Sequence, residues 1–255
     1  MSELTDKAIK LFNEKKYKEA IDVFSSVLET EPDNSHYYNN IGVAYANLGN
    51  FEQAEKFFTK AINLEPELAQ AYINLSDLYY KNKDFASAIG TLERGSYELP
   101  DNMAIAHLLA RVYIDDSRYD SAIFELDKVL EAQPENYDAY YDLGRVNFEL
   151  GNYDAAITNF ENVLDYKNDN ELIYYYLGEA YEANNEIDKA ISNYLKATAI
   201  NEKFHPAFKK LGILFLAREA YQDAYDYFQE YLELNIPDEE KESIKLLTER
   251  IKSKL

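Results

Sequence analysis

The sequence predicts an all-α protein, a solenoid of antiparallel helical hairpins, and three observations carry that prediction. The first is a 34-residue period that runs from residue 1 to residue 238 without insertion or deletion, making seven blocks. The second is a pair of columns in which a small residue is always accompanied by a large one. Ala20, Ala54, Ala88, Ala122, Ala156, Ala190 and Ala224 are each followed, four residues later, by Phe24, Phe58, Leu92, Leu126, Phe160, Tyr194 and Phe228. The third is helical spacing within a block: Tyr38, Ile41, Gly42 and Tyr45 fall at i, i+3, i+4 and i+7 and share one helix face.

Block 1–34 carries Lys7 and Ala8 where Ile41–Gly42 and Leu143–Gly144 stand later, as suits an end unit with one face in water. Block 35–68 opens on the Tyr38 face and reverses at "LGN", residues 48–50, where glycine lets the backbone turn. Its second half keeps helical period through Ala54, Phe58, Ala61 and Ile62. Gly42 and Ala54 are small enough for the two backbones to approach, with aromatic side chains filling the space beside that contact. Pro66 closes the block, as Pro32, Pro100 and Pro134 close others, because proline cannot continue a helix interior. Block 69–102 repeats the face as Tyr72, Leu75, Ser76 and Tyr79. Its second helix contains Gly90 and Gly95, each costing about 1 kcal/mol against alanine, so it is expected to be the softest.

In block 103–136 Ala106 replaces the aromatic of Tyr38 and thins that contact. Block 137–170 has Gly144 and a second "LGN" at 150–152, but Asn168 stands in the proline column. Block 171–204 carries Tyr174, Leu177, Gly178 and Tyr181, with Glu202 in that column, so both junctions are expected to be less firmly punctuated. Block 205–238 places Gly212, Tyr221, Ala224 and Phe228 in their columns. Residues 239–255 are expected to form a capping helix whose Ile244, Leu247 and Ile251 cover the apolar side of block seven; docking of another subunit on that stripe is the alternative. Asp238 to Glu240 suit its N-terminus and Lys252 and Lys254 its C-terminus.

These columns resemble those of the tetratricopeptide repeat, a 34-residue helix-turn-helix motif, and the resemblance covers all seven blocks. It implies a right-handed superhelix with a concave groove lined by the first helices, whose occupant is typically an extended peptide or a helix of another protein.

Composition excludes several functions. With 26 basic and 47 acidic residues the net charge is −21, which would repel a phosphate backbone, so nucleic acid and anionic lipid are poor partners. The apolar runs are too short to cross a bilayer, and the first residues lack the apolar stretch of a signal peptide, which makes the cytoplasm the expected location. No cysteine is present, so disulfides and thiolate sites are absent. His36, His107 and His205 lack helical metal-ligand spacing, and no glycine is left for a phosphate-binding loop. The expectation is a chain with no cofactor, no metal and no enzyme activity.

The resemblance places the candidate partner-binding residues in the groove columns: Asn40, Asn74, Tyr80, His107, Arg111, Tyr141, Arg145, Tyr175 and Tyr176. Asparagine amides there suit the backbone of an extended peptide. Arg111 and Arg145 share one column and suit a carboxylate; internal pairing of these arginines with Asp142, Asp138 or Glu149 is the competing reading. The tyrosines offer rigid contact area, or else fill the core. Relatives that grip the acidic tails of chaperones need lysine and arginine that Thr5, Ile9, Asn39 and Val43 do not supply, so that clamp is not supported. The leading expectation is a non-catalytic scaffold binding a peptide or helix of another protein, with a basic partner as the sharper minority reading. A self-assembling oligomer and a recognition subunit of a separate enzyme are the alternatives.

Overall fold

The computed structural model describes residues 3–166 and 168–255; Met1 and Ser2, which open the first block, lie outside them. Among the described residues the helices in order are α1 (Glu3–Asn13), α2 (Tyr17–Leu28), α3 (Ser35–Asn47), α4 (Phe51–Leu64), α5 (Ala69–Lys81), α6 (Phe85–Glu98), α7 (Met103–Asp115), α8 (Tyr119–Ala132), α9 (Tyr137–Glu149), α10 (Tyr153–Leu164), α11 (Glu171–Ala183), α12 (Ile187–Ile200), α13 (His205–Ala217), α14 (Tyr221–Glu233) and α15 (Asp238–Lys252). No strand occurs among these residues. The class is an all-α solenoid built of hairpins, α1 with α2 through α13 with α14.

The chain divides into two compact units, Met1–Pro134 and Glu135–Leu255. In the first, α2 packs on α3, α4 on α5 and α6 on α7, while α3, α5 and α7 also touch in series. In the second, α10 packs on α11, α12 on α13 and α14 on α15. Ile244 and Ile251 of α15 are buried with Phe228, Tyr231 and Phe208, and Leu247 packs against the same cluster.

Each hairpin turns in the same way. Lys15, Gly49, Lys83, Ser117, Gly151, Asn185 and Glu219, spaced 34 apart, all have φ between 59° and 77°. The following residue donates its N–H five residues back, as in Asn50 to the Tyr45 carbonyl at 2.9 Å and Arg118 to Tyr113 at 2.8 Å. This is the left-handed C-terminal cap, in which carbonyls left over at the helix end gain donors. Glycine is present at only two of the seven positions, so reading the turn from "LGN" alone missed five.

The small columns pack differently from expectation. The neighbour of Gly42 is the ring of Phe58 lying over it: a Cβ built there would fall 2.6 Å from Phe58 Cδ1. Gly144 under Phe160 (2.5 Å) and Gly212 under Phe228 (2.7 Å) repeat the arrangement, and Gly178 lies under Tyr194. The glycine makes room for an aromatic ring rather than mainly for the opposing backbone. The alanine column Ala20 to Ala224 is fully buried throughout.

Two further positions have local roles that the columns did not state. Gly95 is no mere weak point in α6, because a Cβ there would meet the buried Tyr72 ring at 3.0 Å; Gly90 has open space around it. At the junctions without proline asparagine side chains also bind the backbone, as Asn102 and Asn136 do after Pro100 and Pro134. Asn170 accepts the Leu172 N–H at 3.0 Å and caps α11. Asn201 accepts the Lys203 N–H at 3.0 Å and donates to Glu171 at 2.8 Å.

Gly144→Ala should destabilise the protein by about 1–3 kcal/mol in urea unfolding, because the methyl displaces Phe160. Gly90→Ala should stabilise it by about 1 kcal/mol, since only helix propensity changes. At the turns, Glu219→Gly should add about 1 kcal/mol by relieving a left-handed conformation that β-carbon sterics disfavour. A thermal midpoint that falls in Glu219→Gly would contradict that account.

Candidate functional site

The first-helix faces carry the candidate residues, and the two units are described separately. In the first unit, α3, α5 and α7 bring side chains 34 residues apart alongside one another. A pocket of about 130 Å³ lies against Val43, Ala46, Asn74, Asp77 and Lys81. A second, also about 130 Å³, is lined by Asp77, Tyr80, Leu108, Arg111, Val112 and Asp115. Asp77 belongs to both, so the two hollows adjoin along α5. It is paired with Lys81 at 2.6 Å.

Of the predicted residues in this unit, Asn74 is already engaged. Its Nδ2 donates to Asn39 Oδ1 at 2.9 Å, and its Oδ1 accepts from Gln70 Nε2 at 2.9 Å. An asparagine ladder for a peptide backbone is therefore reduced to Asn40, which is half-buried and makes no hydrogen bond among the described residues. Tyr80 is 38% exposed, donates to Asp115 Oδ2 at 2.5 Å and leans on Phe85 with ring centroids 5.6 Å apart. That anchor holds the phenol in one orientation beside Arg111. Arg111 is exposed and makes no ion pair or hydrogen bond among the described residues. His107 is half-buried on α7.

In the second unit the predicted tyrosines form a cluster rather than an open surface. Tyr176 stacks on the buried Phe160 with centroids 5.7 Å apart and planes at 15°. Tyr141 meets Tyr176 edge-on at 5.8 Å, and Tyr175 packs against Tyr194 and Phe204 at 5.6 and 5.4 Å. All three are half-buried, so they give edges and hydroxyls to the surface while their rings extend the core. Arg145 pairs with the buried Asp142 at 3.7 Å and lies 5.9 Å from the Tyr141 centroid. The internal reading therefore holds for Arg145, and the two arginines, one in each unit, differ in kind.

A polar network that the sequence did not announce braces this face. Tyr175 donates to Glu179 Oε1 at 3.0 Å and Tyr194 to Glu182 Oε2 at 2.7 Å, while Lys210 reaches Glu179 at 3.4 Å and Glu182 at 3.1 Å. Next to it Lys209 and Tyr231 both donate to Glu240, at 2.7 and 2.6 Å. The Lys209 ammonium and the Tyr231 hydroxyl hold the Glu240 carboxyl below its usual range. The signal that could have found this network was Lys209 and Lys210 standing where Asn39 and Asn40 stand five blocks earlier.

No group of three or more His, Cys, Asp or Glu among the described residues could hold a metal ion, and no helix is long and apolar enough to cross a membrane.

Stacked hairpins presenting one helix of each pair on a common face define a helical-repeat protein. The chain belongs to the tetratricopeptide repeat family: profiles of the tetratricopeptide repeat match residues 11–60, 49–112, 107–161 and 172–204, and one of the TPR repeat matches 144–185. No curated protein matches the chain. Among solved structures, that of MamA is 28% identical with a TM-score of 0.60, over 66% of this chain and 96% of that one. The C-terminal part of a TPR repeat-containing protein from Cytophaga hutchinsonii shares the fold at 16% identity, with a TM-score of 0.78 over 94% of this chain and 98% of that one. YrrB, described as a TPR protein with an unusual peptide-binding site, is 20% identical with a TM-score of 0.62, over 77% of this chain and 97% of that one.

Burial and acidic neighbours set the pH behaviour of the tyrosines. Burial, then the bond to Tyr176, raises the Tyr141 phenol, and burial, then Glu179, raises that of Tyr175. Burial and an accepting glutamate push Tyr79 and Tyr181 up to about 12. A raised folded-state value means that the stabilisation is complete below the unfolded value of about 10 and is lost as pH rises through the folded value. Phenolate absorbance should therefore show a fraction of tyrosines ionising late, with helicity falling between about pH 10 and 12. Titration of all 24 tyrosines in one ordinary step with helicity intact would contradict this.

Proposed function

We propose that the chain is a non-catalytic scaffold that holds an extended peptide segment or a helix of another protein on its first-helix faces. The observation that carries this reading is Arg111. In a chain with 47 acidic and 26 basic residues, its exposed guanidinium stands unpaired at the rim of an apolar-floored pocket, beside the anchored Tyr80. A fork of donors with no internal acceptor suits a partner carboxylate held by two parallel bonds. Leu108 and Val112 beneath it suit an apolar neighbour on the same segment. The adjoining pocket along α5 extends the contact by a further apolar patch.

Family membership supports the interaction role, and the peptide-binding site described for YrrB is a precedent for peptide capture on this fold. The second-unit face, braced by Lys210 and its glutamates, contributes a pre-organised surface of tyrosine edges.

Affinity capture with wild type, Arg111→Glu and Tyr141→Ala, read by mass spectrometry, tests the proposal. Arg111→Glu should weaken retention of the partner by about tenfold or more, the scale of losing a central arginine anchor. Identical partner sets at identical yields would remove the first-helix faces from the account.

A further inference from the structure

A second hollow, built by the other helices of the first unit, has a chemistry of its own. It lies between α6 and α8, with Leu109 and Tyr113 of α7 as its floor, and measures about 490 Å³. Glu93 stands on its α6 wall, and Asp120, Phe124 and Glu125 stand on its α8 wall. Tyr113 donates to Glu93 Oε1 at 2.7 Å. Phe124, which lines the hollow, is 69% exposed and offers its ring face to solvent. Glu125 Oε2 is shielded from solvent and has no hydrogen-bond partner. A desolvated carboxylate oxygen without a donor is costly to leave so.

The same hollow occurs 68 residues later, and its difference shows what is missing. There Glu161, Leu177 and Tyr181 take the places of Glu93, Leu109 and Tyr113, and Tyr181 donates to Glu161 at 2.8 Å. But Lys189 occupies the place of Ser121 and sets its ammonium 5.0 Å from the Tyr181 ring centroid, and Asn193 replaces Glu125. Lys189 is largely exposed there and is tied to Glu186 at 2.5 Å, and the hollow measures about 200 Å³. In the first unit the lysine is absent and an extra carboxylate is present.

We infer that the α6–α8 hollow is a socket for an arginine side chain presented by a partner protein. The guanidinium lies against the Tyr113 ring, as the Lys189 ammonium lies against the Tyr181 ring. Its several donors meet Glu125 and Glu93 together, which a single ammonium does less well, and the Phe124 face covers the plane. Within the unit Lys128 and Arg118 are the nearby cations. Lys128 acts on Glu125 only through space, and Arg118 is held by Asp116 at 2.7 Å. Burial, outweighing Lys128 and reinforced by Glu93, holds the Glu125 carboxyl above its usual range, as an unmet demand for a cation would. The site is distinct from the first-helix face and stands whether or not that face binds a peptide.

The test titrates the whole chain with the blocked tripeptide acetyl-Gly-Arg-Gly-amide, followed by amide and side-chain NMR, with acetyl-Gly-Gln-Gly-amide as control. Saturable shifts are expected at Ser121, Phe124 and Glu125 with the arginine peptide alone. Glu125→Gln should weaken binding about tenfold. Ser121→Lys, which sets an ammonium beside the Tyr113 ring, should weaken it about tenfold while leaving the circular dichroism native. Arg111→Glu should leave it unchanged. No saturable shift up to the solubility of the peptide, shifts spread over the acidic surface, or equal binding by Glu125→Gln or Ser121→Lys would each overturn the proposal.

Discussion

The contact on which this fold depends is a ring resting on a residue that has no side chain. In four hairpins the aromatic at the fourth place after the invariant alanine lies directly over a glycine of the first helix. The glycine costs helix propensity, about 1 kcal/mol, but the ring it admits is buried to 1% exposure or less, and burying such a side chain is worth about 2–3 kcal/mol. Burial wins, and the pairing is reciprocal. Where the second helix carries Leu92 or Leu126 instead of a ring, the first helix carries Ser76 or Ala110 instead of glycine, so the summed volume is kept. Ala8 under Phe24 is the exception.

That pairing also explains how much of the fold could be read before the structure. Helix positions were legible because every second helix opens on one column, Tyr17, Phe51, Phe85, Tyr119, Tyr153, Ile187 and Tyr221. The turn was only partly legible. Its left-handed residue is glycine at 49 and 151 but lysine, serine, asparagine or glutamate elsewhere, since a single residue can bear the strain when the backbone bonds around it hold the turn. Position in the period, rather than residue type, was the signal.

The candidate site was legible in outline and not in detail, for a physical reason. Column arithmetic says which residues share a face, but not which polar atoms satisfy one another across it. Arg145 with Asp142 is an i, i+3 pair and could be weighed from sequence. Asn74 with Asn39 and Tyr80 with Asp115 span 35 residues, one block and one step, and bind residues from different columns of neighbouring hairpins. Such diagonal contacts depend on the rotation between hairpins, which no single block encodes.

A repeat protein gains specificity from what its units fail to fill. A hollow between successive second helices occurs in each of the two units, and one substitution changes how a given copy is lined. Lys189 lies over the tyrosine of one hollow where Ser121 stands in the other, and Lys210 cross-braces two glutamates in a column where Asn40 stands uncommitted. The internally paired copies stiffen the scaffold, because their charges are neutralised within the chain. The others keep desolvated or unpaired charge, which an internal partner would have removed at the cost of one residue. Arg111 on one face and Glu125 on another are opposite in sign, so the two proposed sites of this unit call for ligands of opposite charge.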